Sequence, residues 1–298
     1  MQIGMKLESD YPRTEIYRQL FEGLADPLAT IRELGMQFIE LPLGTGWDIA
    51  YFRKLIQANL AHGLRTNLHP YTRAEENPVC FRDEPGNACR ENLLRALTLC
   101  DETARAQKAT CVFVLHAAEN YTTQEFVPEK AARAYYVERS RECFAWLEKT
   151  VRERGHDVTV VSEFQLPAKE SEPGRWRIGQ TFPELQATVE GTSLGLCWDT
   201  GHAFFSVERC GEPFLPPKQW RGRIRHVHLH DVADGKDHRP PLYDSVPVED
   251  GLRAVREAGF DGDINLELNP RLTAEAGAFR DVMSRSIQRV RDAWATAS

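Results

Sequence analysis

Long apolar runs are missing from this 298-residue chain. None reaches the roughly 18 residues that a membrane-spanning helix needs, so no membrane partner is expected. Met1 to Asp10 carries acidic residues and no apolar stretch, and does not read as a signal peptide. Cysteine is sparse and unpatterned: seven residues, an odd number, never spaced as CxxC. That argues against a disulfide framework or a cysteine-based zinc site. Cys100, Cys111, Cys143 and Cys197 fall in expected strands or helices and read as buried free thiols of a reducing cytoplasm. Excess positive charge is also missing. The formal net charge is -7, which speaks against a nucleic-acid partner without excluding a local basic groove. Repeats, low-complexity segments and a linker are absent too, so residues 1–298 are expected to form one domain.

What is present is alternation. Eight short β-rich apolar runs recur: Ile3 to Leu7, Phe38 to Leu41, Leu64 to Leu68, Thr110 to Leu115, Val158 to Ser162, Leu194 to Trp198, Ile224 to Leu229 and Ile264 to Leu268. Helical segments separate most of them. Asp26 and Pro27 open one that ends at Gly35, and others cover Asp48 to His62, Asn87 to Ala106, Lys130 to Arg154, Val248 to Ala258 and Ala274 to Thr296. Thr181 and Glu184 make a capping box for a shorter one. The sixth helix is the weak link, with only a short turn expected over Pro216 to Trp220.

Strands alternating with helices imply parallel pairing and right-handed crossovers. Eight units in a chain longer than the roughly 250 residues of a typical barrel predict an α/β fold, the (β/α)8 TIM barrel. Helix-to-strand turns are tiny, such as Gly63. Strand-to-helix connections are long, such as His69–Gly86 and Asp231–Pro247. Function is therefore expected where the strands end.

The strand ends carry the chemistry. His69 follows strand 3, His116 strand 4, Glu163 strand 5, Asp199 strand 6 and Glu267 strand 8, with His228 just inside the end of strand 7. Each alone has an ordinary explanation, a hydrogen-bonded core histidine or a solvated carboxylate. Together, Glu163, Asp199 and Glu267 would converge at one barrel mouth and repel each other. A divalent cation resolves that: with a neutral His228, a single net negative charge remains. Oxygen ligands with one imidazole suit Mn, Mg, Co, Zn or Fe. Trp47, Tyr71, Phe164, Trp198, Phe204 and Phe205 fall near the same face, where they could line a substrate pocket or simply pack loops onto the rim. The Gly44-Thr45-Gly46 turn lacks a full phosphate-loop pattern and reads as plain loop.

Trp198-Asp199-Thr200-Gly201-His202, followed by His228-Leu229-His230-Asp231 and Asn265-Leu266-Glu267, resembles the sugar phosphate isomerase/epimerase family of xylose-isomerase-like barrels, related to endonuclease IV. The resemblance implies a metal held by Glu163, Asp199, His228 and Glu267. It implies that the two glutamates also exchange protons with substrate and that His202 contacts a substrate oxygen. His230, His238, Trp47 and Phe164 are expected to join His202 around the substrate. Two departures stand out. The family's substrate-binding arginine after strand 7 has no match, with Asp234 near its place. The Asp-x-His of endonuclease IV is broken, since Lys236 precedes His238 by two. His69 and His116, which match first-metal ligands of the nuclease, are expected to hold a second ion or to support the first.

The leading expectation is a metal-dependent isomerase or epimerase acting on a small sugar or polyol-derived keto compound through an enediolate, with Glu163 and Glu267 as acid and base. A dehydratase of the same superfamily, an endonuclease IV-like phosphodiesterase and a non-catalytic ligand-binding barrel stay open. So does a homo-oligomeric state.

Overall fold

Parallel pairing of the apolar runs closes a barrel. The structure is a computed structural model describing residues 1–11, 13–44, 46–70, 76–120, 129–168 and 174–296, with the backbone alone for 129–132. Its strands are β1 (Gln2–Lys6), β2 (Phe38–Leu43), β3 (Arg65–Pro70), β4 (Cys111–Leu115), β5 (Val158–Glu163), β6 (Gly195–Asp199), β7 (Ile224–Leu229), β8 (Asp231–Ala233), β9 (Lys236–Arg239) and β10 (Asp263–Leu266). Eight of them close the barrel in the order β1-β10-β7-β6-β5-β4-β3-β2, and β8 and β9 form a separate antiparallel pair. The eight expected runs all became barrel strands.

The helices are α1 (Glu15–Leu20), α2 (Pro27–Glu33), α3 (Ile49–Ala61), α4 (Ala88–Gln107), α5 (Glu129–Arg154), α6 (Phe182–Thr188), α7 (Thr200–Cys210), α8 (Lys218–Arg221), α9 (Val248–Glu257), α10 (Pro270–Glu275) and α11 (Phe279–Thr296). Several begin on the expected caps: Asp26 accepts from Ala29 N, Asp48 from Tyr51 N, and Thr181 Oγ1 from Glu184 N. None of the helices among the described residues is long and apolar enough to cross a membrane.

Three expectations need correction. The short turn near Trp220 is there as α8, but a longer helix precedes it: α7, which starts directly on the last residue of β6. With no loop between them, strand and helix share Asp199, and a reading that looks for turn residues passes over the junction. The segment Ala274 to Thr296 is two helices, broken where Gly277 takes φ +136°. The long connection Asp231–Pro247 contains the β8–β9 hairpin, whose two-residue loop Asp234-Gly235 has φ +54° and +69°. Both values suit the tight turn that a right-twisted hairpin prefers.

The alternate faces of the barrel strands differ. Ile3, Met5, Leu7, Ile39, Leu41 and Leu68 join the large apolar core that includes the helices. The other face turns into the barrel, where Val112, Val114, Val161 and Cys197 form a small apolar cluster of their own. Apart from the Phe38 ring, much of the rest of that interior is polar. At one level Arg65 pairs with Asp263 at 2.8 Å, and Asn67 donates to the same carboxylate at 2.9 Å. Gly4 leaves room for the Phe38 ring, which a Cβ would meet at 2.5 Å. All seven cysteines are free, five of them buried.

Candidate metal centre at the barrel mouth

Glu163 and Asp199 are the last residues of β5 and β6, His228 is the penultimate residue of β7, and Glu267 follows β10 directly. Register alone pairs Asp199 with His228; Glu163 pairs with Cys197 and His228 with Asn265, so Glu163 and Glu267 reach the same space across the stagger of the tilted strands. One ligand atom from each lies within 4.8 Å of every other, and all four residues are buried. His228 Nδ1 is 2.7 Å from Glu267 Oε2 and 3.6 Å from Glu163 Oε2. Neither contact is a hydrogen bond, and Asp199 Oδ2, Glu267 Oε2 and His228 Nδ1 are buried without a hydrogen-bond partner. Buried polar atoms are almost always satisfied, so a group of unsatisfied ones pointing at a common space fits a cation. The donor set, three carboxylates and one imidazole, fits a divalent ion.

The electrostatics agree with the geometry. Burial alone would raise the Glu163 and Glu267 carboxyls. His116 and His228 instead hold Glu163 well below the usual carboxylate range, and His228 and Lys6 do the same for Glu267. Burial disfavours a charged His228, but the surrounding acids, Glu267, Glu40 and Glu163 among them, raise it well above an ordinary histidine. Positive charge is therefore wanted at the centre of the cluster.

Asp199 has a second duty. Its Oδ1 caps α7 by accepting from His202 N at 2.7 Å, and lies 3.1 Å from His230 Nε2. His202, one turn into α7, faces Phe164 O at 3.0 Å through Nδ1, which also lies 3.4 Å from Glu163 Oε1. His230 Nδ1 accepts the His238 backbone N–H at 2.9 Å, so His230 carries its proton on Nε2, toward Asp199. The His238 ring stacks on His230 at 4.3 Å and 11°, carried there by the β8–β9 hairpin. His238 Nδ1 is 3.4 Å from Asp237 Oδ1, the residue beside Lys236. Burial opposes charge on His238, yet Asp237 and Glu267 push its pKa up to about 10.

His69 and His116 sit on the other flank of Glu163. His116 Nε2 is 3.1 Å and His69 Nε2 3.3 Å from Glu163 Oε2, and the two nitrogens are 3.2 Å apart. The three residues form a second group that could hold an ion.

Two of the expected substrate contacts are buried in packing. The Phe164 ring is fully buried against Phe182 at 4.7 Å, and only its carbonyl reaches the site. Strand alternation explains this: Glu163 points inward, so Phe164 points to the helices. Trp47 packs edge-on to Phe52, with Arg95 over its face. Tyr71 and Thr45 fall outside the described residues.

Two further residues at the site went unread. Lys6, the last residue of β1, puts Nζ 3.1 Å from Glu267 Oε1 with its side chain 9% exposed. Glu40, fully buried in β2, lies 2.8 Å from His226 Nε2 and 3.1 Å from His228 Nε2. A charged residue inside an otherwise apolar strand was the available signal for both.

A closed parallel barrel with an acid-and-histidine cluster at the C-terminal mouth defines the class: a barrel with its site where barrel enzymes carry theirs. More narrowly, the chain belongs to the xylose isomerase-like TIM barrel family, whose model matches residues 28–287. Solved structures similar to it include a D-tagatose 3-epimerase-like protein, at 16% identity and TM-score 0.63 over 98% of this chain and 99% of that one. Another is 3-keto-D-glucoside 4-epimerase from E. coli, at 14% identity and TM-score 0.64 over 97% and 99%. A third is D-psicose 3-epimerase from Clostridium cellulolyticum H10, at 14% identity and TM-score 0.61 over 100% and 99%. At these identities the likeness is one of fold. Among curated proteins, Inosose dehydratase 2 of Bacillus cereus (strain ZK / E33L) is 35% identical over 86 residues. The match spans only 26% of that protein and 27% of this chain.

Proposed function

We propose that this barrel is a metal-dependent enzyme for carbon-acid chemistry on a small sugar or polyol-derived keto compound, with isomerisation or epimerisation as the reaction. The observation that carries the reading is the buried group Glu163, Asp199, His228 and Glu267, with unsatisfied ligand atoms facing one space. These four would hold the ion, of which Mn, Mg, Co, Zn and Fe all suit the donors. When bound, a divalent ion supplies Lewis-acid polarisation of a carbonyl and its neighbouring hydroxyl.

The chain's own residues supply the rest. Glu163 and Glu267 come from the two directions around the barrel from β7, and their carboxyls are held ionised, so each could take or return a proton on its own side of a substrate between them. Removal by one and return by the other inverts a carbon centre; return to the neighbouring carbon isomerises. Lys6 holds Glu267 Oε1 and keeps that carboxyl ionised. His202 is fixed through Nδ1 at the Phe164 carbonyl, leaving Nε2 for a substrate oxygen. His238 brings positive charge to the same rim.

The partial match to an inosose dehydratase favours a second reading, in which the same proton removal is followed by loss of a β-hydroxyl. The His69, His116 and Glu163 group supports an endonuclease IV-like phosphodiesterase instead, if it holds a further ion. The test is turnover in heavy water. Manganese-loaded protein is incubated with a panel of ketopentoses, ketohexoses and inososes and followed by NMR. Deuterium at carbon with a new stereoisomer or positional isomer is expected, and a dehydrated product identifies the second reading. Turnover with neither carbon-bound deuterium nor a primary isotope effect from deuterated substrate overturns both.

A further inference from the structure

Beneath the candidate metal ligands the barrel buries a fourth carboxylate, Glu40, which has no place in the proton transfers above. Burying a carboxylate costs several kcal/mol unless its oxygens are well paired, and an apolar residue would fill the space more cheaply. Glu40 has two hydrogen-bond partners and two further imidazoles within ion-pair reach. Oε2 lies 2.8 Å from His226 Nε2, and Oε1 accepts from Asn265 Nδ2 at 2.9 Å. The same Oε1 lies at ion-pair distance, without hydrogen-bond alignment, from His228 Nε2 at 3.1 Å and from His69 Nδ1 at 3.5 Å.

The last two contacts share a geometry. Each imidazole turns one nitrogen down to Glu40 and the other up to the site. His228 Nδ1 points at Glu267 and Glu163, at 2.7 and 3.6 Å. His69 Nε2 points at Glu163, at 3.3 Å. Both nitrogens of each ring thus face carboxylates; a cation held among the site carboxylates would take the lone pair of the upper nitrogen and leave the proton on the Glu40 side. Asn265 and His226 fix the carboxylate itself, and both sit in strands paired with each other, β10 and β7.

We propose that Glu40 is a positioning residue for cation binding: one buried carboxylate that sets the tautomer and ring orientation of both His228 and His69, and so prepares the two flanks of Glu163 together. This rests on the metal reading above. A merely structural Glu40 would stabilise the barrel interior and leave cation affinity alone, so affinity is the quantity to measure.

The experiment titrates metal-free wild type and Glu40→Gln with manganese in a calorimeter, with near-ultraviolet circular dichroism as the check on tertiary structure. The substitution keeps the size of the side chain but presents an amide that cannot accept from all its neighbours. The dissociation constant is expected to weaken by about 10- to 100-fold, the usual scale for such outer partners. Wild type that binds while Glu40→Gln loses less than tenfold overturns this inference and leaves the metal reading intact. Wild type that binds no manganese overturns both. If Glu40→Gln does not fold, zinc-loaded wild type labelled with 15N-histidine decides by long-range proton–nitrogen correlation. His228 protonated on Nε2 and His69 on Nδ1 support the inference, and the opposite tautomer at either residue overturns it.

Discussion

Gly201 and the His230 imidazole meet in space that only a glycine leaves open: a Cβ at position 201 would lie 1.9 Å from His230 Cε1. That ring cannot retreat easily, because His238 stacks on it at 4.3 Å and Asp199 Oδ1 stands 3.1 Å from its Nε2. The glycine of Asp199-Thr200-Gly201-His202 is thus required by packing, since its φ is an ordinary helical one rather than a positive one.

Gly201→Ala should therefore destabilise the fold by about 1–3 kcal/mol, the usual cost of overpacking. Urea unfolding of the metal-free protein measures it. Adding His230→Ala to the same chain should recover most of the loss. A Gly201→Ala protein as stable as wild type would show that the ring moves freely.

Asp199 is both the cap of α7 and a candidate ligand, and two substitutions separate the duties. Asp199→Asn keeps an oxygen that can accept from His202 N. It should hold the metal-free stability within about 0.5 kcal/mol while weakening manganese binding at least tenfold. Asp199→Ala should lose the binding and also about 0.5–2 kcal/mol of stability. Equal stability of the two variants would remove the capping role.

Glu163→Gln and Glu267→Gln keep size and one oxygen ligand but remove the base. At saturating metal, each should lower turnover by roughly 10²-fold or more. One variant should still exchange the substrate's carbon-bound proton with solvent, while the other should not, because each glutamate serves one face. NMR in heavy water distinguishes them. If both variants exchange at the wild-type rate, the two-glutamate assignment fails.

Removing the ion should loosen the barrel mouth. Manganese at about 100 times its dissociation constant should stabilise the native state by about 2.7 kcal/mol relative to chelator-treated protein. Melting curves recorded with and without a chelator would show this as an upward shift that grows with manganese concentration. No dependence on manganese would mean that the four residues hold their arrangement without it.

The amino-acid sequence determined much of this by itself. The alternation of apolar runs with capped helices set the parallel barrel, and residue types at strand ends marked Glu163, Asp199, His228 and Glu267, because the C-terminal ends of parallel strands must share one face. The Asp234-Gly235 pair was a legible hairpin signal as well, hidden inside what looked like one long loop. Tertiary structure alone decided the rest. Strand β2 is buried along its whole length, and buried parallel strands show no polar-apolar alternation that tells inside from outside. The inward direction of Glu40 and its reach to His226 and His228 therefore exist only once the barrel closes. Lys6 likewise meets Glu267 only because the first and last barrel strands pair, 261 residues apart in the chain.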